Sequence, residues 1–256
     1  MIDRLAIVSP LAELAADVTV GPFSIIGAGL QIGPRTVVGP HVVLNGPTKI
    51  GADNRIYQFA SIGDAPQDKK YNGEPTRLEI GDRNIFRESC TVNRGTAQGY
   101  GITRIGDDNL FMAYSHVAHD CIVGNKIVFA NCAALAGHVE IGDWTILGGL
   151  TAVHQFVKIG AHAFLAGGAI VQRDVPPYVM VAGNPAVPHM VNAEGLKRRG
   201  FDEEQVKNVR NAYRILYRSD LKLAEAMDKL RALGQTRPEV KALVDFVASS
   251  TRSIVR

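Results

Sequence analysis

Residues 20–40 read VGPFSIIGAGLQIGPRTVVGP and place an apolar residue at every sixth position. The four apolar positions are Val20, Ile26, Ile32 and Val38, and each is followed by glycine. A period of six residues matches neither the 3.6-residue face of a helix nor the alternation of a simple strand. It is typical of a parallel β-helix, in which each hexad supplies one short strand and one turn.

The same register covers most of the chain and is interrupted twice. Ten hexads precede the first interruption, three lie between the two, and twelve follow the second. Residues 64–79 are polar and residues 93–104 are glycine-rich. Loops on a rigid scaffold often carry binding groups, although a solenoid also tolerates them as surface decoration. The apolar positions are Val8, Leu14, Val20, Ile26, Ile32, Val38, Leu44, Ile50, Ile56, Ile62, Ile80, Phe86, Val92, Ile105, Phe111, Val117, Val123, Phe129, Leu135, Ile141, Leu147, Val153, Ile159, Leu165 and Val171.

Three hexads form one triangular coil, so the register predicts about eight coils that each rise about 4.8 Å. The apolar side chains should fill a narrow core, and the glycine or proline of each hexad should serve the tight corner. We expect this domain to span residues 1–192, with residues 178–192 irregular.

Residues 193–256 change to a helical pattern and predict a small C-terminal helical domain. Asp202 should cap a helix that runs to about Arg218, with its apolar residues on one stripe. A second helix is expected over 221–233, closed by Gly234, and a third over 238–248 with proline near its start. Such helices would also protect the open end of the coil.

The composition indicates an ordinary globular chain. Apolar residues make up 46% and charged residues 21%, which excludes a disordered or collagen-like protein. No apolar run approaches the roughly 20 residues of a spanning helix. Three cysteines without a CxxC pair favour a reducing compartment and exclude a zinc ribbon. The first residues do not resemble a signal peptide, so we expect a cytoplasmic protein.

The net charge of +3 conceals an asymmetry along the chain. Residues 1–192 hold 14 basic and 16 acidic side chains, whereas residues 193–256 hold 14 basic and 9 acidic ones. A basic end of this size suits an acidic partner or an anionic ligand, although single charges there also fit a solvated helical surface.

Four of the seven histidines fall near one line along the coil. Residues 18 apart should stack above one another, which places His119, Gly137 and Gln155 in one column. His138 and His154 lie one residue away, and His116 lies on the adjoining corner. None of these histidines occupies an inward position, so their side chains should lie outside the core.

Three interpretations of this cluster remain open. A metal site is disfavoured because no Asp or Glu clearly completes a ligand set. A surface cluster without a role is the plainest alternative. The third is general-base catalysis, in which His119 removes a proton from an alcohol or amine, Asp120 orients its ring, and the N–H of Gly137 faces a developing oxyanion. No G-x-S-x-G elbow and no Walker or Rossmann glycine pattern is present.

Several segments give the chain a family resemblance beyond the hexads. The chain resembles the hexapeptide-repeat acyltransferases, and among them the UDP-N-acetylglucosamine 3-O-acyltransferases that begin lipid A synthesis. The similarity covers nearly the whole sequence, including the helical tail. The segments that carry it are residues 56–63 (IYQFASIG), 73–77 (GEPTR), 116–121 (HVAHDC), 135–139 (LAGHV), 151–156 (TAVHQF), 174–178 (DVPPY) and 192–200 (NAEGLKRRG).

The resemblance implies a left-handed coil and a homotrimer with clefts between subunits. It implies transfer of an (R)-3-hydroxyacyl group from the phosphopantetheine of acyl carrier protein to the 3-hydroxyl of UDP-N-acetylglucosamine. It implies no metal and no separate cofactor. We also expect no nucleic-acid partner and no transmembrane segment. The basic tail would then help to dock the acidic carrier protein.

The resemblance also implies roles for individual residues. His119 matches the general base, Asp120 its orienting partner and Gly137 the oxyanion-binding amide. Gly167 matches the position that limits acyl-chain length, and without a side chain it should admit a longer chain. The residues that match substrate contacts are Gln67, Asp68, Lys70, His116, His138 and Gln155 on the sugar and diphosphate, His154 by the thioester arm, and Asn192, Glu194, Arg198 and Arg199 at the nucleotide end.

Four alternatives stay in view. The N-acyltransferase of the same pathway normally carries an extra N-terminal nucleotide-binding domain, for which hexads that begin at Val8 leave no room. Residues 64–79 and 192–200 argue against a CoA-dependent acetyltransferase. A γ-type carbonic anhydrase needs three metal-binding histidines at other spacings. A purely structural β-helix would show no thermal shift with a UDP-sugar.

Overall fold

Every sixth residue points into the core of a three-sided coil in the computed structural model, which describes residues 1–256. Of the 25 apolar positions in the predicted register, 23 are buried. The two exceptions, Val8 and Leu14, are partly buried in the first coil, where no earlier coil covers them. The parallel β-helix predicted from the six-residue spacing is therefore confirmed.

The strands stack into three sheets, one for each side of the coil. Sheet 1 has nine strands: Ile7–Val8, Ile25–Ile26, Val43–Leu44, Ser61–Asp64, Thr91–Asn93, His116–Val117, Ala134–Leu135, Ala152–Val153 and Ile170–Val171. Sheet 2 has eight: Glu13–Leu14, Leu30–Ile32, Thr48–Ile50, Arg77–Ile80, Ile102–Ile105, Ile122–Val123, Glu140–Ile141 and Lys158–Ile159. Sheet 3 has ten: Thr19–Val20, Val37–Val38, Arg55–Ile56, Ile85–Phe86, Leu110–Phe111, Val128–Phe129, Ile146–Leu147, Phe164–Leu165, Val179–Ala182 and Val187–Val191.

The two interruptions of the hexad register, residues 64–79 and 93–104, are insertions into the coil. We call them the first and second insertion, and the pairing of neighbouring strands shows where they enter. Val43 pairs with Ser61 in the next coil, and no insertion lies between them. Across the first insertion Ser61 pairs with Thr91, and across the second Thr91 pairs with His116. The pairing stays in register across the second insertion, whereas across the first it shifts after Ile62, where Asp64 pairs with Asn93. The inward residues nonetheless stay stacked, so the inserted residues leave the coil without displacing its core.

The turns between sheets use a left-handed residue that is mostly not glycine. Asp120 (φ 59°), His138 (φ 62°) and Phe156 (φ 64°) occupy this position in three successive coils. Where glycine follows an inward residue it has another purpose, since only Gly63 among these glycines has a left-handed φ (82°). A Cβ on Gly33 would lie 2.6 Å from the carbonyl carbon of Gly51 in the next coil. Our expectation that this glycine serves the bend was therefore wrong, because it is the close approach of coils that excludes a side chain there.

The core of the central coils is ordered by stacked rings and by a column of amides. Phe86 and Phe111 stack at 4.6 Å between ring centroids, and Phe111 and Phe129 at 4.7 Å. Buried Asn84 donates through its side-chain amide to Asn54 Oδ1 (3.1 Å). The next asparagine, Asn109, donates to Asn84 Oδ1 in the same way (2.9 Å). These satisfied amides fix how one coil sits on the next.

The end of the coil differs from the sequence expectation. Residues 178–192 are not irregular, because Val179–Ala182 and Val187–Val191 form an antiparallel hairpin at the edge of sheet 3. The hexad spacing stops before this point, so the repeat carries no signal for the hairpin.

Four helices follow: α1 (Ala193–Arg198), α2 (Glu203–Tyr217), α3 (Leu223–Gly234) and α4 (Pro238–Ser249). The three predicted helices are confirmed to within two residues at each end, while the short α1 was not predicted. Asp202 caps α2 by accepting a hydrogen bond from the N–H of Gln205 (2.8 Å). The helices bury a second apolar core of their own. None of them combines the length and the apolar character that crossing a membrane requires.

Candidate active site

The turns that lead from sheet 1 to sheet 2 bring the predicted histidine cluster together. We call residues 118–120, 136–138 and 154–156 the His corner. The N–H of His138 donates to the carbonyl oxygen of His119 (3.0 Å), and the N–H of Phe156 donates to that of Gly137 (3.1 Å). These bonds stack the three turns in register. The predicted column of His119, Gly137 and Gln155 is therefore present.

His119 and Asp120 form a hydrogen-bonded pair at this corner. The Nδ1 atom of His119 lies 2.9 Å from Asp120 Oδ2. Asp120 is fully buried, whereas the side chain of His119 keeps 16% of its surface exposed. An ionised carboxylate only accepts hydrogen bonds, so Nδ1 carries the proton and the lone pair of Nε2 is left free. An imidazole held in this way by a carboxylate can accept a proton at Nε2.

The second insertion supplies the remaining partners of Asp120. Its carboxylate accepts hydrogen bonds from Thr96 Oγ1 (2.6 Å), the Thr96 N–H (3.0 Å) and the Tyr100 N–H (2.9 Å). Burial alone would raise the pKa of Asp120, but the donors of His119 and Thr96 keep that pKa below its ordinary value. The carboxylate is therefore ionised at neutral pH.

Two further histidines line the same corner. The ring of His138 meets that of His119 edge-on at 5.2 Å between centroids and stacks on Phe156 at 4.4 Å. The Nδ1 atom of His116 lies 2.7 Å from Thr91 Oγ1. Burial lowers the pKa of His138 against the opposing pull of Asp120, and burial with the adjacent His119 lowers the pKa of His116. Both rings are therefore neutral at pH 7 and provide hydrogen-bonding groups without charge.

Gly137 lies directly against the ring of His119. A Cβ on Gly137 would be 2.5 Å from His119 Cε1 and 2.7 Å from Nε2, so no side chain fits there. The N–H of Gly137 donates to no acceptor within the chain. A backbone donor beside the free nitrogen of an imidazole is suited to bind an oxyanion.

Of the predicted residues in the first insertion, Asp68 lies near the His corner, whereas Gln67 and Lys70 are exposed to solvent. Asp68 lies close enough to His138 for its charge to oppose, slightly, the lowering of that ring's pKa by burial. The carboxylate of Asp68 accepts the N–H of Lys70 (3.0 Å), while the side chains of Lys70 and Gln67 are exposed. His154 and Gln155 are exposed on the third turn of the corner, one coil beyond Gly137.

Arg94 holds the first insertion on the coil, a role that no pattern in the sequence indicates. Its Nη1 atom donates to the carbonyl oxygens of Gly46 (2.8 Å) and Gly63 (2.7 Å). Its Nη2 atom donates to the hydroxyl of Tyr71 (3.2 Å), which lies within the insertion. The guanidinium thus joins the loop that carries Asp68 to two turns of the coil.

The predicted nucleotide-end residues lie on a different corner of the chain. The side-chain amide of Asn192 donates to the carbonyl oxygen of His162 (3.0 Å), and its Oδ1 caps α1. Arg199 lies 3.2 Å from His162 Nδ1. Glu194 and Arg198 are exposed on α1. His162 belongs to the turns from sheet 2 to sheet 3, so one chain does not bring these residues to His119.

A stack of rings on that second corner was not predicted. We call Lys126, Trp144 and His162 the Trp corner, since they take the same left-handed position in three successive turns from sheet 2 to sheet 3. Trp144 stacks on His162 at 6.3 Å, and Lys126 and Arg199 lie over the Trp144 ring at 4.5 and 5.3 Å. Burial and the nearby Arg199 lower the pKa of His162 to about 4. The spacing that predicts the His corner applies equally to these residues, so the sequence contains a signal for this corner too.

Gly167 lies on the third corner, where sheet 3 leads to sheet 1. A Cβ on Gly167 would meet the carbonyl oxygen of Gly149 at 3.4 Å, an ordinary contact. The position is exposed and offers room for a larger side chain. The structure does not bring it to the His corner of the same chain.

The reason given against a metal site was wrong. Asp120 completes a set with His119 and His138, and their ligand atoms all lie within 4.8 Å of one another. However, both oxygens of Asp120 already accept hydrogen bonds from Thr96 and Tyr100. A metal would have to displace these donors, so the absence of a metal from the reaction stays our prediction.

Comparison with known proteins places the chain among acyltransferases. A family model for bacterial transferase hexapeptides matches residues 11–46, and a model for domain 2 of UDP-N-acetylglucosamine O-acyltransferases matches residues 174–255. An acyl-[acyl-carrier-protein]–UDP-N-acetylglucosamine O-acyltransferase of Thiobacillus denitrificans is 55% identical over 98% of this chain and 97% of its own length.

Solved structures agree over the whole chain. The UDP-N-acetylglucosamine O-acyltransferase of Moraxella catarrhalis superposes on 100% of this chain and 99% of its own, at 46% identity and a TM-score of 0.98. The corresponding structure from Acinetobacter baumannii covers the same shares, at 44% identity and a TM-score of 0.97. These neighbours are left-handed β-helices, and a coil of the opposite hand would not superpose on them. The expected left hand is therefore confirmed.

Proposed function

Since the chain belongs to the UDP-N-acetylglucosamine O-acyltransferase family, we propose that it carries out the first step of lipid A synthesis. It transfers an (R)-3-hydroxyacyl group from acyl carrier protein to the 3-hydroxyl of UDP-N-acetylglucosamine. The observation that supports this reaction most directly is the position of His119. Its imidazole lies between a buried carboxylate and an unpaired backbone N–H.

The reaction proceeds by general-base catalysis at this imidazole. His119 Nε2 takes the proton of the sugar 3-hydroxyl, and Asp120 stabilises the imidazolium that results. The sugar oxygen attacks the thioester carbonyl, and the N–H of Gly137 donates to the oxyanion of the tetrahedral intermediate. Collapse of the intermediate breaks the carbon–sulfur bond. The pantetheine sulfur leaves with the proton held by His119, which restores the neutral ring.

The assay that tests this function offers the protein UDP-N-acetylglucosamine and a panel of 3-hydroxyacyl carrier proteins of different lengths. The native chain should form the 3-O-acyl sugar, with a maximum at one length. His119→Ala should lose most of its turnover while it keeps its fold, because it removes the one imidazole that Asp120 holds by a short hydrogen bond. A folded His119→Ala protein with native turnover would refute the role of His119. Transfer only to an amino sugar, or only from acetyl-CoA, would favour the related acyltransferases instead.

A complete site requires a second copy of the chain. The base lies at the His corner, whereas Arg199 and Asn192 lie at the Trp corner, on the other side of sheet 2. Arginine forks suit a diphosphate, since each can donate two hydrogen bonds to its oxygens. We therefore place each site in a cleft between neighbouring subunits of a homotrimer, with the sugar at one chain's His corner and the nucleotide at the partner's Trp corner.

Subunit mixing tests the shared site. His119→Ala and Arg199→Ala chains, each inactive alone, should regain part of the native turnover when they are unfolded and refolded together. The reason is that a mixed trimer contains clefts built from two unaltered corners. Turnover no higher than that of either variant alone would place the whole site within one subunit.

The helical domain offers a docking surface for the carrier protein. A cavity of about 640 Å³ lies between α2 and the end of the coil. Arg210 and Arg214 of α2 and Arg218, which follows that helix, line it together with apolar groups that include Phe164 and Met180. Such a surface is complementary to an acidic protein that carries an acyl chain. The acyl donor brings its own phosphopantetheine, so we propose no separate cofactor, and we place the enzyme in the cytoplasm where acyl carrier protein is found.

A further inference from the structure

We propose that residues 96–100 of the second insertion form a clamp that positions Asp120 and, through it, His119 for proton transfer. This inference rests on the proposed role of His119 as the base. Thr96 is a positioning residue in this scheme, since it acts on the carboxylate and not on the substrate. The insertion thereby has a function in the reaction as well as a place on the surface.

The clamp supplies every hydrogen-bond donor to the Asp120 carboxylate apart from His119. Thr96 donates through both its hydroxyl (2.6 Å) and its N–H (3.0 Å), and Tyr100 donates through its N–H (2.9 Å). Asp120 itself donates its N–H to Thr103 Oγ1 at the end of the insertion (2.8 Å). The side chain of Asp120 has no exposed surface. Water therefore cannot replace these donors, and their directions determine where Oδ2 meets the imidazole.

The backbone of the clamp packs directly against the Asp120 carboxylate at Gly99. A Cβ on Gly99 would lie 2.5 Å from the carboxyl carbon of Asp120 and 2.6 Å from each oxygen. The backbone of Gly99 does not have a left-handed φ, so glycine is required by contact and not by conformation. Such close packing against a buried carboxylate is not expected of a loop that serves only as surface decoration.

The clamp is itself fixed to the coil on two sides. On one side, the N–H of Arg77 donates to the carbonyl oxygen of Gly101 (3.0 Å). On the other, the hydroxyl of Tyr100 lies 3.3 Å from Glu140 Oε1, and its ring meets His138 edge-on at 6.2 Å. The other end of the clamp is fixed as well, because the N–H of Gly95 donates to the carbonyl oxygen of Arg77 (3.2 Å). A loop held at both ends can keep Asp120 within the narrow tolerance that proton transfer demands.

Substitution of Thr96 tests the clamp, because it should lower kcat and leave KM unchanged. Thr96→Val keeps the shape of the side chain and removes one donor to a buried charge, which should lower kcat roughly tenfold. The KM for UDP-N-acetylglucosamine should stay near its native value, because no sugar contact changes. Thr96→Ser keeps the hydroxyl and should restore kcat. The matched control is Thr36→Val, which removes an equally buried hydroxyl from an early coil and should leave kcat unchanged.

A second background shows whether Thr96 acts through Asp120. In an Asp120→Asn protein the ionised carboxylate is absent, so Thr96→Val should cause no further loss of kcat. Equal losses in both backgrounds, or native kcat in Thr96→Val, would overturn the clamp. Should Thr96→Val not fold, Gly99→Ala provides the same test, since its methyl group displaces the carboxylate and keeps all donors. Native kcat in Gly99→Ala would also overturn the clamp.

The His119→Ala and Thr96→Val variants together distinguish a failure of the clamp from a failure of the proposed function. If His119→Ala is inactive and Thr96→Val is fully active, only the clamp is wrong. If His119→Ala is active, the assignment of the base is wrong whatever the Thr96 variants do.

Discussion

Gly137→Ala is the most informative substitution at this site, because it adds a single methyl group whose position against His119 is known. The new Cβ would lie 2.5 Å from His119 Cε1 and 2.7 Å from Nε2. The backbone of Gly137 is not left-handed, so alanine introduces no conformational strain there. The N–H of residue 137 is also retained. The substitution therefore moves the proposed base, His119, and leaves the proposed oxyanion donor in place.

The size of the effect follows from the overlap. Carbon atoms in contact prefer separations of about 3.5–4.0 Å, so the ring of His119 must move by about 1 Å. A misplacement of about 1 Å in a reacting group lowers rates about 100-fold. We therefore expect kcat to fall by about that factor.

The assay is acyl transfer under saturating UDP-N-acetylglucosamine, with thermal melting of the same samples. The melting temperature of Gly137→Ala should stay within a few degrees of the native value, since the ring of His119 lies outside the apolar core. Gly149→Ala is the matched control for stability. It adds a methyl group at the equivalent turn position on another corner, where the nearest atom lies at 3.4 Å.

Two results would refute the reasoning. Native kcat in folded Gly137→Ala would mean that the imidazole need not occupy its present position. The double variant His119→Ala/Gly137→Ala is equally informative. With the ring removed, the methyl group has room, and Gly137→Ala should cause no additional loss. A further large decrease would show that residue 137 acts through something other than His119.

Two more predictions concern the other corners. Gly167→Met should shift the preferred acyl donor to shorter chains in the carrier-protein panel, since the side chain fills open space; an unchanged preference would reject the role of Gly167. In the folded chain the pKa of His162 is about 4, below its ordinary 6.5, so the stability gained from the neutral ring is present above pH 6.5 and is lost as the pH falls toward 4. Melting temperatures should therefore decrease over that interval, and His162→Phe, which keeps a ring in the stack and cannot be protonated, should reduce the decrease; an equal decrease in both proteins would contradict this.

The parts of the molecule that repeat were predictable from the sequence. The inward position of Ile26 or Phe129 follows from spacing alone, because a rigid coil returns the chain to the same side after every three hexads. The same rigidity predicts that His119 and Gly137 stack on neighbouring coils. The longer helices were predictable from local signals, such as the cap that Asp202 forms.

The parts that depend on contacts outside the repeat were not predictable. The donors of Thr96 and Tyr100 to Asp120 arise because an insertion folds back on the coil, and no periodicity describes that path. The hydrogen bonds of Arg94 join residues up to 48 positions apart. Arg199 is distant from His119 because the C-terminal helices cover a different corner of the coil. The number of charges along the chain does not indicate which corner these helices cover.

The register across the insertions has a consequence for how such a protein evolves. An uninterrupted coil closes between Ser24 and Val42, whereas the first insertion enlarges the coil that closes between Asn54 and Asn84. The entropy of closing a flexible loop grows only with the logarithm of its length, so the larger closure costs about 0.5 kcal/mol more. The second insertion, between Thr91 and His116, is shorter and costs about 0.3 kcal/mol more than an uninterrupted coil. A solenoid can therefore accept a whole loop at a turn for less free energy than many point substitutions in its core, and selection can shape that loop while the coil beneath it goes on folding as before.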